Sequence, residues 1–270
     1  MSEVEAPVVH LSPTVHFLGS GSRGNAVLIT DGDQNLLIDC GFSMKEIKRR
    51  LALVGMEPAA IRAVLVTHEH IDHIRGLPLF FDNPDTRLFL THPCQTAIQA
   101  QWNRGFDFTP IHSGGCFAVG SMTFSPFSTS HDAADPIGVV VRFPDGSRLG
   151  LATDLGYPCP SSVGALADCD WLALESNHDI RMLKNGPYHW MLKRRILSEL
   201  GHLSNDAAVE LLGQVATQRL KQLFGMHLSQ KNNLPSLALQ TLTQGIERMG
   251  LNPTIAVIPQ DQVVSYFLSR

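Results

Sequence analysis

Three histidines and an aspartate are packed into six residues directly after a short apolar run. The apolar run covers residues 63–66, and the polar cluster that follows consists of His68, His70, Asp72 and His73. Four consecutive apolar residues predict a buried strand, so the cluster is expected in the loop that leaves the C-terminal end of that strand. Loops held by a rigid sheet often carry chemistry.

Imidazole and carboxylate are the ligands that borderline divalent metals prefer. In a tight loop, His68 and His70 can point to one side while Asp72 and His73 point to the other, which would allow two adjacent metals to be held. The alternative is a solvated loop that happens to be rich in histidine. Three histidines in six residues are hard to reach by composition when the chain has 12 histidines among 270 residues, so the pattern favours a metal site.

Length and composition are those of a folded chain with little net charge. At 270 residues and 44% hydrophobic residues, the chain can form one large domain or two small ones. We find no internal repeat, low-complexity segment or linker, so we predict a single domain over residues 1–270. The formal net charge is −4, and binding to a nucleic acid would therefore have to come from a local basic patch.

Three features predict a cytoplasmic protein without a membrane segment. Residues 1–13 lack the basic start and apolar run of a signal peptide. No segment approaches the roughly 18 uninterrupted apolar residues of a membrane span. The odd number of cysteines and the lack of a C-x-x-C pair are typical of a reducing compartment; the cysteines are Cys40, Cys94, Cys116, Cys159 and Cys169.

Strand-like and helix-like patterns alternate in both halves of the chain. We predict strands at residues 15–18, 26–30, 35–38, 63–66, 88–90, 122–127, 137–143, 148–152, 171–174, 222–226, 254–258 and 263–268. We predict helices at residues 44–53, 93–101, 180–200 in two pieces broken at 185–187, 206–219 and 234–249. This order indicates an α/β (α+β) protein with two sheets packed together and helices outside.

A loop with three glycines, residues 19–25, connects the first two predicted strands. Its exposed backbone amides, together with Ser22, Arg23 and Asn25, could receive an anionic group. The loop lacks the Lys-Ser/Thr ending of a P-loop, and no helix follows it, so nucleotide binding is not expected. The alternative is a plain hairpin turn.

The predicted helical segment 180–200 is the one concentrated basic stretch of the chain. Against a single acid, Glu199, it carries Arg181, Lys184, Lys193, Arg194 and Arg195. The stretch is either a solvated helix face or a phosphate-binding patch. Tyr188, His189 and Trp190 would suit base stacking, although Trp190 could equally be a core anchor.

Polar residues at other predicted strand ends complete a family pattern. In chain order the residues are His68, His70, Asp72, His73, His131, Asp154 and His227. This order resembles the metallo-β-lactamase superfamily over essentially the whole chain. The resemblance implies a four-layer αββα sandwich, two mixed sheets with helices outside, and a dinuclear metal site along one edge.

The resemblance also implies a division of the ligands between two metals. His68, His70 and His131 would bind the first metal. Asp72, His73 and His227 would bind the second. Asp154 would bridge both, and Asp39 matches an acidic residue beneath the site that is usually structural.

A finer match is to the WalJ/YycJ-like branch, and residues 19–25, 174–179, 201–205 and 227–233 carry it. The branch is similar to the phosphodiesterase arm that includes ribonuclease Z, and its members look like nucleases acting on DNA. In that arm an acid and a histidine stand near the leaving group, and Glu175 and His202 occupy the matching positions. The arm that clamps tRNA and a β-CASP insertion are both missing, so tRNA maturation and β-CASP-type RNA cleavage are not expected.

The implied reaction is hydrolysis of a phosphodiester with two divalent metals. Zinc is the expected metal, and manganese and iron are the alternatives. Two metals about 4 Å apart can activate a bridging water and hold the anionic oxygens, while a histidine held by a carboxylate gives a proton to the leaving oxygen. The predicted catalytic residues are His202, Glu175 and Asp72. The predicted substrate or phosphate contacts are Ser22, Arg23, Asn25, Lys184, Lys193 and Arg194. The alternative for His202 is that it only caps the following helix.

Exonuclease-like action on DNA is the favoured prediction, because the basic stretch and the Arg23 loop suit a polymer. A small-molecule (cyclic) phosphodiesterase would share the metals and the leaving-group chemistry. A glyoxalase II-like thioester hydrolase would keep all seven ligands but would not need Glu175 or His202. A β-lactamase would usually have a cysteine in place of Asp154, and a flavodiiron enzyme would usually have a glutamate in place of His70. The sequence leaves the oligomeric state open.

Overall fold

The structure of the protein is a computed structural model that describes residues 13–269. The expectation of no signal peptide concerns residues 1–13, and apart from Pro13 it lies outside the described residues. Within the described range no helix has both the length and the apolar character needed to cross a membrane.

Strands fill both halves of the chain. Their bounds are β1 Thr14–Gly19, β2 Ala26–Asp31, β3 Gln34–Ile38, β4 Ala63–Leu65, β5 Arg87–Leu90, β6 Thr109–Pro110, β7 Phe117–Val119, β8 Met122–Ser128, β9 Ile137–Arg142, β10 Arg148–Ala152, β11 Trp171–Glu175, β12 Gln222–Met226, β13 Thr254–Val257 and β14 Val264–Phe267. They form two sheets of seven strands, ordered β14-β1-β2-β3-β4-β5-β6 and β13-β12-β11-β10-β9-β8-β7.

Both sheets are mixed, as predicted. In the first sheet β14, β1, β2 and β3 pair antiparallel, and β3 to β6 pair parallel. In the second sheet β7 to β10 pair antiparallel, and β10 to β13 pair parallel. The parallel strands of each sheet end at one common edge, which is where polar side chains collect in sheets of this kind.

The helices are short and several begin at a capping side chain. Their bounds are α1 Met44–Leu53, α2 Ile71–Ile74, α3 His92–Trp102, α4 Pro160–Leu166, α5 Ile180–Asn185, α6 Trp190–Ile196, α7 Asn205–Val215 and α8 Pro235–Arg248. The Ser43 hydroxyl accepts a hydrogen bond from the amide of Glu46, and the Ser204 hydroxyl accepts one from Ala207, which satisfies amides that have no partner within the helix.

Apolar side chains pack in three layers between four layers of structure. The strands place alternate residues on opposite faces, so Ile29 of β2 packs between the sheets while Leu28 packs under α1. Phe17 and Phe224 meet across the two sheets with ring centroids 4.8 Å apart. A third cluster lies between the second sheet and helices α4, α7 and α8. The predicted αββα sandwich is confirmed.

The helix predicted at residues 206–219 ends earlier, at Val215. Ala216 is already extended, and the Thr217 hydroxyl accepts a hydrogen bond from the Arg219 amide in a tight turn. The Arg219 guanidinium then binds the Asp170 carboxylate at 3.0 Å. These local bonds compete with the helix and end it, as Thr side chains commonly do.

Candidate metal centre

The predicted ligands all follow strands whose C-terminal ends share one edge of the sandwich. The His68–His73 cluster follows β4 and continues into the short helix α2, and His131, Asp154 and His227 follow β8, β10 and β12. Glu175 is the last residue of β11. The structure therefore brings together seven residues that are spread over 160 positions of the sequence, from 68 to 227.

Three residues at this edge have a left-handed backbone. Asp39, Asp154 and His227 have φ angles of 60°, 57° and 56°. Such a conformation costs roughly 1–2 kcal/mol for a residue with a side chain and is tolerated only where the surroundings fix it. Asp39 and His227 follow directly after β3 and β12, and Asp154 lies two residues after the end of β10, so each turn changes the direction of the chain at a side chain of the site.

The cluster loop is held by backbone hydrogen bonds to the turn after β3 and to the loop between β1 and β2. The Cys40 amide donates to the His73 carbonyl at 2.7 Å, and the Asn25 amide donates to the Asp72 carbonyl at 2.8 Å. Gly41 lies against this loop so closely that a Cβ there would overlap the Asp72 carbonyl oxygen. A glycine is therefore required for the two segments to meet.

His68, His70 and His131 form one group of converging ring nitrogens. One ligand atom of each lies within 4.8 Å of the others. His131 Nε2 and His70 Nδ1 lie 3.3 Å apart. This is the set that the family resemblance implies for the first metal.

Asp72, His73 and His227 form a second group beside the first. Asp72 Oδ2 lies 3.9 Å from His73 Nε2 and 3.7 Å from His227 Nε2. Asp154 stands between the two groups, because its Oδ2 is 3.1 Å from His73 Nε2 and its Oδ1 is 3.7 Å from His131 Nε2. The position of Asp154 suits the bridging role implied for it.

Hydrogen bonds at Nδ1 orient four of the rings. His68 Nδ1 lies 3.1 Å from the Thr67 hydroxyl and His131 Nδ1 lies 3.1 Å from the Gly201 carbonyl. His73 Nδ1 and His227 Nδ1 lie 2.7 Å from Asp39 and 2.8 Å from Glu175. Because these partners accept a proton from Nδ1, the Nε2 atoms are left with lone pairs that face the centre, as in histidines that bind metals.

The donor set fits divalent metals. Ligand atoms held at about 2.1 Å from one ion lie roughly 3–3.5 Å apart, close to the separations of 3.1–3.9 Å seen here. His68 Nε2 and His227 Nε2 are buried without a hydrogen-bond partner in the described structure. Buried polar atoms that converge without partners are costly unless a cation satisfies them.

The pKa values of the buried side chains at this site also fit a bound cation. Burial, followed by the charge of His73, lowers the pKa of His68 well below its ordinary value, so this ring is neutral. Burial raises the pKa of Asp154, but His227 and His73 outweigh it and the pKa lies well below its ordinary value. Burial lowers the pKa of His227, but Asp154, Asp72 and Glu175 outweigh it and raise the pKa to about 10. A metal would replace the proton on such a ring.

Glu175 is completely buried and accepts four hydrogen bonds. Its Oε1 accepts from Nδ1 of His202 and Nδ1 of His227, each at 2.8 Å. Its Oε2 accepts from the amides of Leu155 and Leu203 at 2.9 Å and 3.1 Å. Burial raises the pKa of Glu175, but the two imidazoles outweigh it and the pKa falls to about 2. One carboxylate therefore holds both a predicted ligand and the predicted acid.

His202 is the member of this pair that reaches the substrate side. Its side chain is 22% exposed and lines the cleft above the ligands. Glu175 occupies Nδ1, so Nε2 is the atom able to exchange a proton with a bound molecule. Burial lowers the pKa of His202, but Glu175 outweighs it and the pKa lies above its ordinary value.

The cleft has a volume of about 270 Å³. Ser22, Asn177 and Ser229 line it, and the side-chain amide of Asn177 donates to the His227 carbonyl at 2.8 Å. Tyr188 and three residues of α6 also line it, namely Leu192, Arg195 and Ile196. Arg195 donates through Nε to Asp132, which is itself a lining residue.

The predicted phosphate contacts are placed unevenly. Ser22 lines the cleft, whereas Lys184, Lys193 and Arg194 do not. The exposed Arg23 forms an ion pair with Asp261 at 2.6 Å. Asn25 is buried, bonds within its own loop through Gly21, and lies 3.1 Å from His73 Nε2.

The structure adds cleft residues that were not among the predicted contacts, namely Arg195, Asn177 and Ser229. Arg195 lies in the basic stretch, directly after Lys193 and Arg194, which were among the predicted contacts. Asn177 and Ser229 lie inside the segments 174–179 and 227–233 that carry the family resemblance, and that position was the available signal.

Comparison with known proteins agrees with this geometry. Residues 34–227 match the family model described as Beta-lactamase superfamily domain. The chain belongs to the metallo-β-lactamase superfamily. It is 34% identical to Exodeoxyribonuclease WalJ of Streptococcus pneumoniae over 239 residues, which cover 87% of this chain and 88% of that protein. It is also 34% identical to Exodeoxyribonuclease YycJ of Bacillus anthracis, with 87% of this chain and 90% of that protein covered. The predicted WalJ/YycJ-like branch is confirmed.

Solved structures of other superfamily members share the fold. The metallo-beta-lactamase fold protein YhfI of Bacillus subtilis has a TM-score of 0.69 at 15% identity, covering 94% of this chain and all of that one. The short form of human tRNase Z has a TM-score of 0.63 at 16% identity, covering 93% of this chain and 98% of that one. At such identities the likeness shows the fold alone.

Proposed function

We propose that this protein is a metal-dependent phosphodiesterase that degrades DNA as an exonuclease. The observation that carries the proposal is the Glu175–His202 pair, which lies beside the converging ligands and whose histidine lines the cleft. Relatives that are 34% identical over most of the chain are named exodeoxyribonucleases. A hydrolase that must protonate a poor leaving group needs such a pair.

The ligand groups would hold two divalent ions, with zinc favoured and manganese or iron as alternatives. His68, His70 and His131 would hold one ion, Asp72, His73 and His227 the other, and Asp154 would contact both. When bound, such ions lower the pKa of water and attract the anionic oxygens of a phosphodiester. Asp39 and Glu175 keep His73 and His227 in the tautomer that leaves Nε2 free.

His202 would supply the proton for the leaving oxygen. Breaking the bond between phosphorus and that oxygen leaves an alkoxide, which takes the Nε2 proton of the imidazolium. The Glu175 carboxylate stabilises the positive ring and fixes its orientation through Nδ1. Asp72 completes the catalytic set as a ligand that also lines the cleft.

A small-molecule phosphodiesterase is the second candidate, because the cleft of about 270 Å³ is of the size that takes a small ligand. A thioester hydrolase is less well supported, since a thiolate leaves without a proton and would make the Glu175–His202 pair unnecessary.

The test is to incubate the metal-loaded protein with 5′- and 3′-labelled single-stranded and double-stranded DNA, with RNA, and with bis-p-nitrophenyl phosphate. The proposal predicts shortening of DNA from an end. The control is His202→Ala, which should keep its metal content and lose turnover on DNA about 10²–10⁴-fold. Hydrolysis of the small ester with no degradation of any polymer would overturn the nuclease assignment.

We also propose a cytoplasmic location. All five cysteines are free thiols. Free thiols of this number suit a reducing compartment.

A further inference from the structure

The cleft is too small to contain more than a short part of a DNA strand. Its volume of about 270 Å³ is close to the lower end of the roughly 300–1,000 Å³ typical of small-molecule sites. A polymer therefore places the reacting phosphodiester inside and must lie on the rim with the rest of its length. The assignment of that rim surface rests on the proposed function.

Helix α6 forms the rim on one side and has two unlike faces. Leu192, Arg195 and Ile196 face the cleft, as expected for residues three and four positions apart on a helix. Trp190, which does not line the cleft, is 68% exposed. The exposure of Trp190 removes the alternative that it anchors the core. An indole left in water beside an active site suits contact with another flat group.

The charge of this segment is complementary to a nucleic acid. Between Asp179 and Glu199 the sequence contains five basic residues and no acid. Two of the five are engaged, since Arg195 binds Asp132 and Lys193 Nζ donates to the Lys184 carbonyl.

The other three basic side chains, Arg181, Lys184 and Arg194, have no hydrogen bond or ion pair with any residue in the range 13–269. Arg194 is four residues after Trp190 and so lies on the same side of the helix. The rim therefore presents an aromatic face and a free guanidinium side by side.

We propose that α6 is a binding platform for a single-stranded stretch of nucleic acid, in which the Trp190 indole stacks on an unpaired base and Arg194 binds a neighbouring phosphate. Proteins that hold single strands without reading sequence combine these two elements. In a duplex the faces of the bases are covered by their neighbours, so an indole has no free base to stack on. The platform therefore selects single-stranded ends or overhangs.

The test measures binding and hydrolysis by Trp190→Ala with a matched control. Phe267, on β14, is 75% exposed and lies away from the cleft, so Phe267→Ala removes an exposed aromatic ring elsewhere. The probes are a phosphorothioate oligo(dT), an abasic strand of equal length and the corresponding duplex. Their binding to the metal-loaded protein is measured by fluorescence anisotropy.

Trp190→Ala should bind oligo(dT) about 5- to 150-fold more weakly, from the stacking energy per base. Trp190→Phe should retain most of the affinity, and Phe267→Ala should bind as the wild type does. The abasic strand should bind the wild type and Trp190→Ala equally. In hydrolysis, the KM for single-stranded DNA should rise while turnover of bis-p-nitrophenyl phosphate stays unchanged.

Binding of oligo(dT) by Trp190→Ala within twofold of the wild type would overturn the platform. An equal loss on the abasic strand would also overturn it, because stacking would not be involved. A change of the oligomeric state in Trp190→Ala would assign the ring to a contact between copies of the chain instead. If the wild type hydrolyses no phosphodiester, the proposed function fails, and the anisotropy measurement still decides on the platform separately.

Discussion

Replacing Glu175 by glutamine tests how the metal ligands and the acid are linked. All four groups that contact the Glu175 side chain are donors, namely the two Nδ1–H groups and the amides of Leu155 and Leu203. Glutamine keeps the shape but turns one oxygen into an NH₂ group. Whichever way the amide is oriented, its NH₂ must face two donors.

Each orientation has a calculable cost. A hydrogen bond to a charged group contributes about 1.5–3 kcal/mol, so the loss of two costs about 3–6 kcal/mol. If NH₂ faces the imidazoles, His227 must move its proton to Nε2 and can no longer bind a metal there. Loss of such a supporting group weakens metal binding about 10–100-fold. If NH₂ faces the backbone amides, the cost falls on folding stability instead.

The assay is to purify Glu175→Gln, titrate metal in competition with a chelator, and record the thermal midpoint and the turnover on DNA at saturating metal. We expect weaker metal binding or a lower midpoint, together with a turnover loss of about 10²–10⁴-fold because His202 is no longer held. The matched control is Glu210→Gln, an exposed residue of α7. Unchanged metal affinity and unchanged stability in Glu175→Gln would refute the claim that one carboxylate holds both His202 and His227.

Three further results are expected. Turnover should fall as the pH rises through the raised pKa of His202, because only the protonated ring can donate a proton. In Glu175→Gln this fall in turnover should occur at lower pH, and a pH profile without that shift would contradict the role of Glu175. Metal binding at neutral pH should release protons, since the pKa of His227 is about 10 in the metal-free protein, and calorimetry in two buffers of different ionisation enthalpy should show a difference. Gly41→Ala should lower stability by about 1–3 kcal/mol and reduce metal content, because its Cβ would overlap the Asp72 carbonyl, whereas Gly105→Ala, with open space around it, should melt and bind metal as the wild type does.

Much of the fold could be predicted from hydrophobic pattern because most strands are buried on one or both faces. Strands such as β4 and β11 are continuous apolar runs, and the polar residues after them mark the strand ends. Four of the short elements, namely β6, β7, α2 and α4, were not predicted. They are too short to show a period. That the chain forms one domain stays a prediction.

The metal ligands could be predicted from the spacing of histidine and aspartate along the sequence. Contacts that depend on the register between neighbouring strands could not. Glu175 is paired in register with Met226 of β12, which brings its carboxylate to His227 one residue later. Nothing in the sequence shows which strands are neighbours at that point. In the same way, the helical phase of α6 directs Arg195 into the cleft and leaves Arg194 outside it. A difference of one position on a helix rotates a side chain by about 100°.

The central claim is that His202, held by Glu175 at a metal centre, protonates the leaving oxygen. The most direct measurement compares His202→Ala with the wild type on two substrates at saturating metal: DNA, whose leaving alkoxide needs a proton, and bis-p-nitrophenyl phosphate, whose leaving phenolate does not. We predict a loss of about 10²–10⁴-fold on DNA and a far smaller loss on the ester, with metal content unchanged. An equal loss on both substrates, or full activity on DNA, would contradict the account.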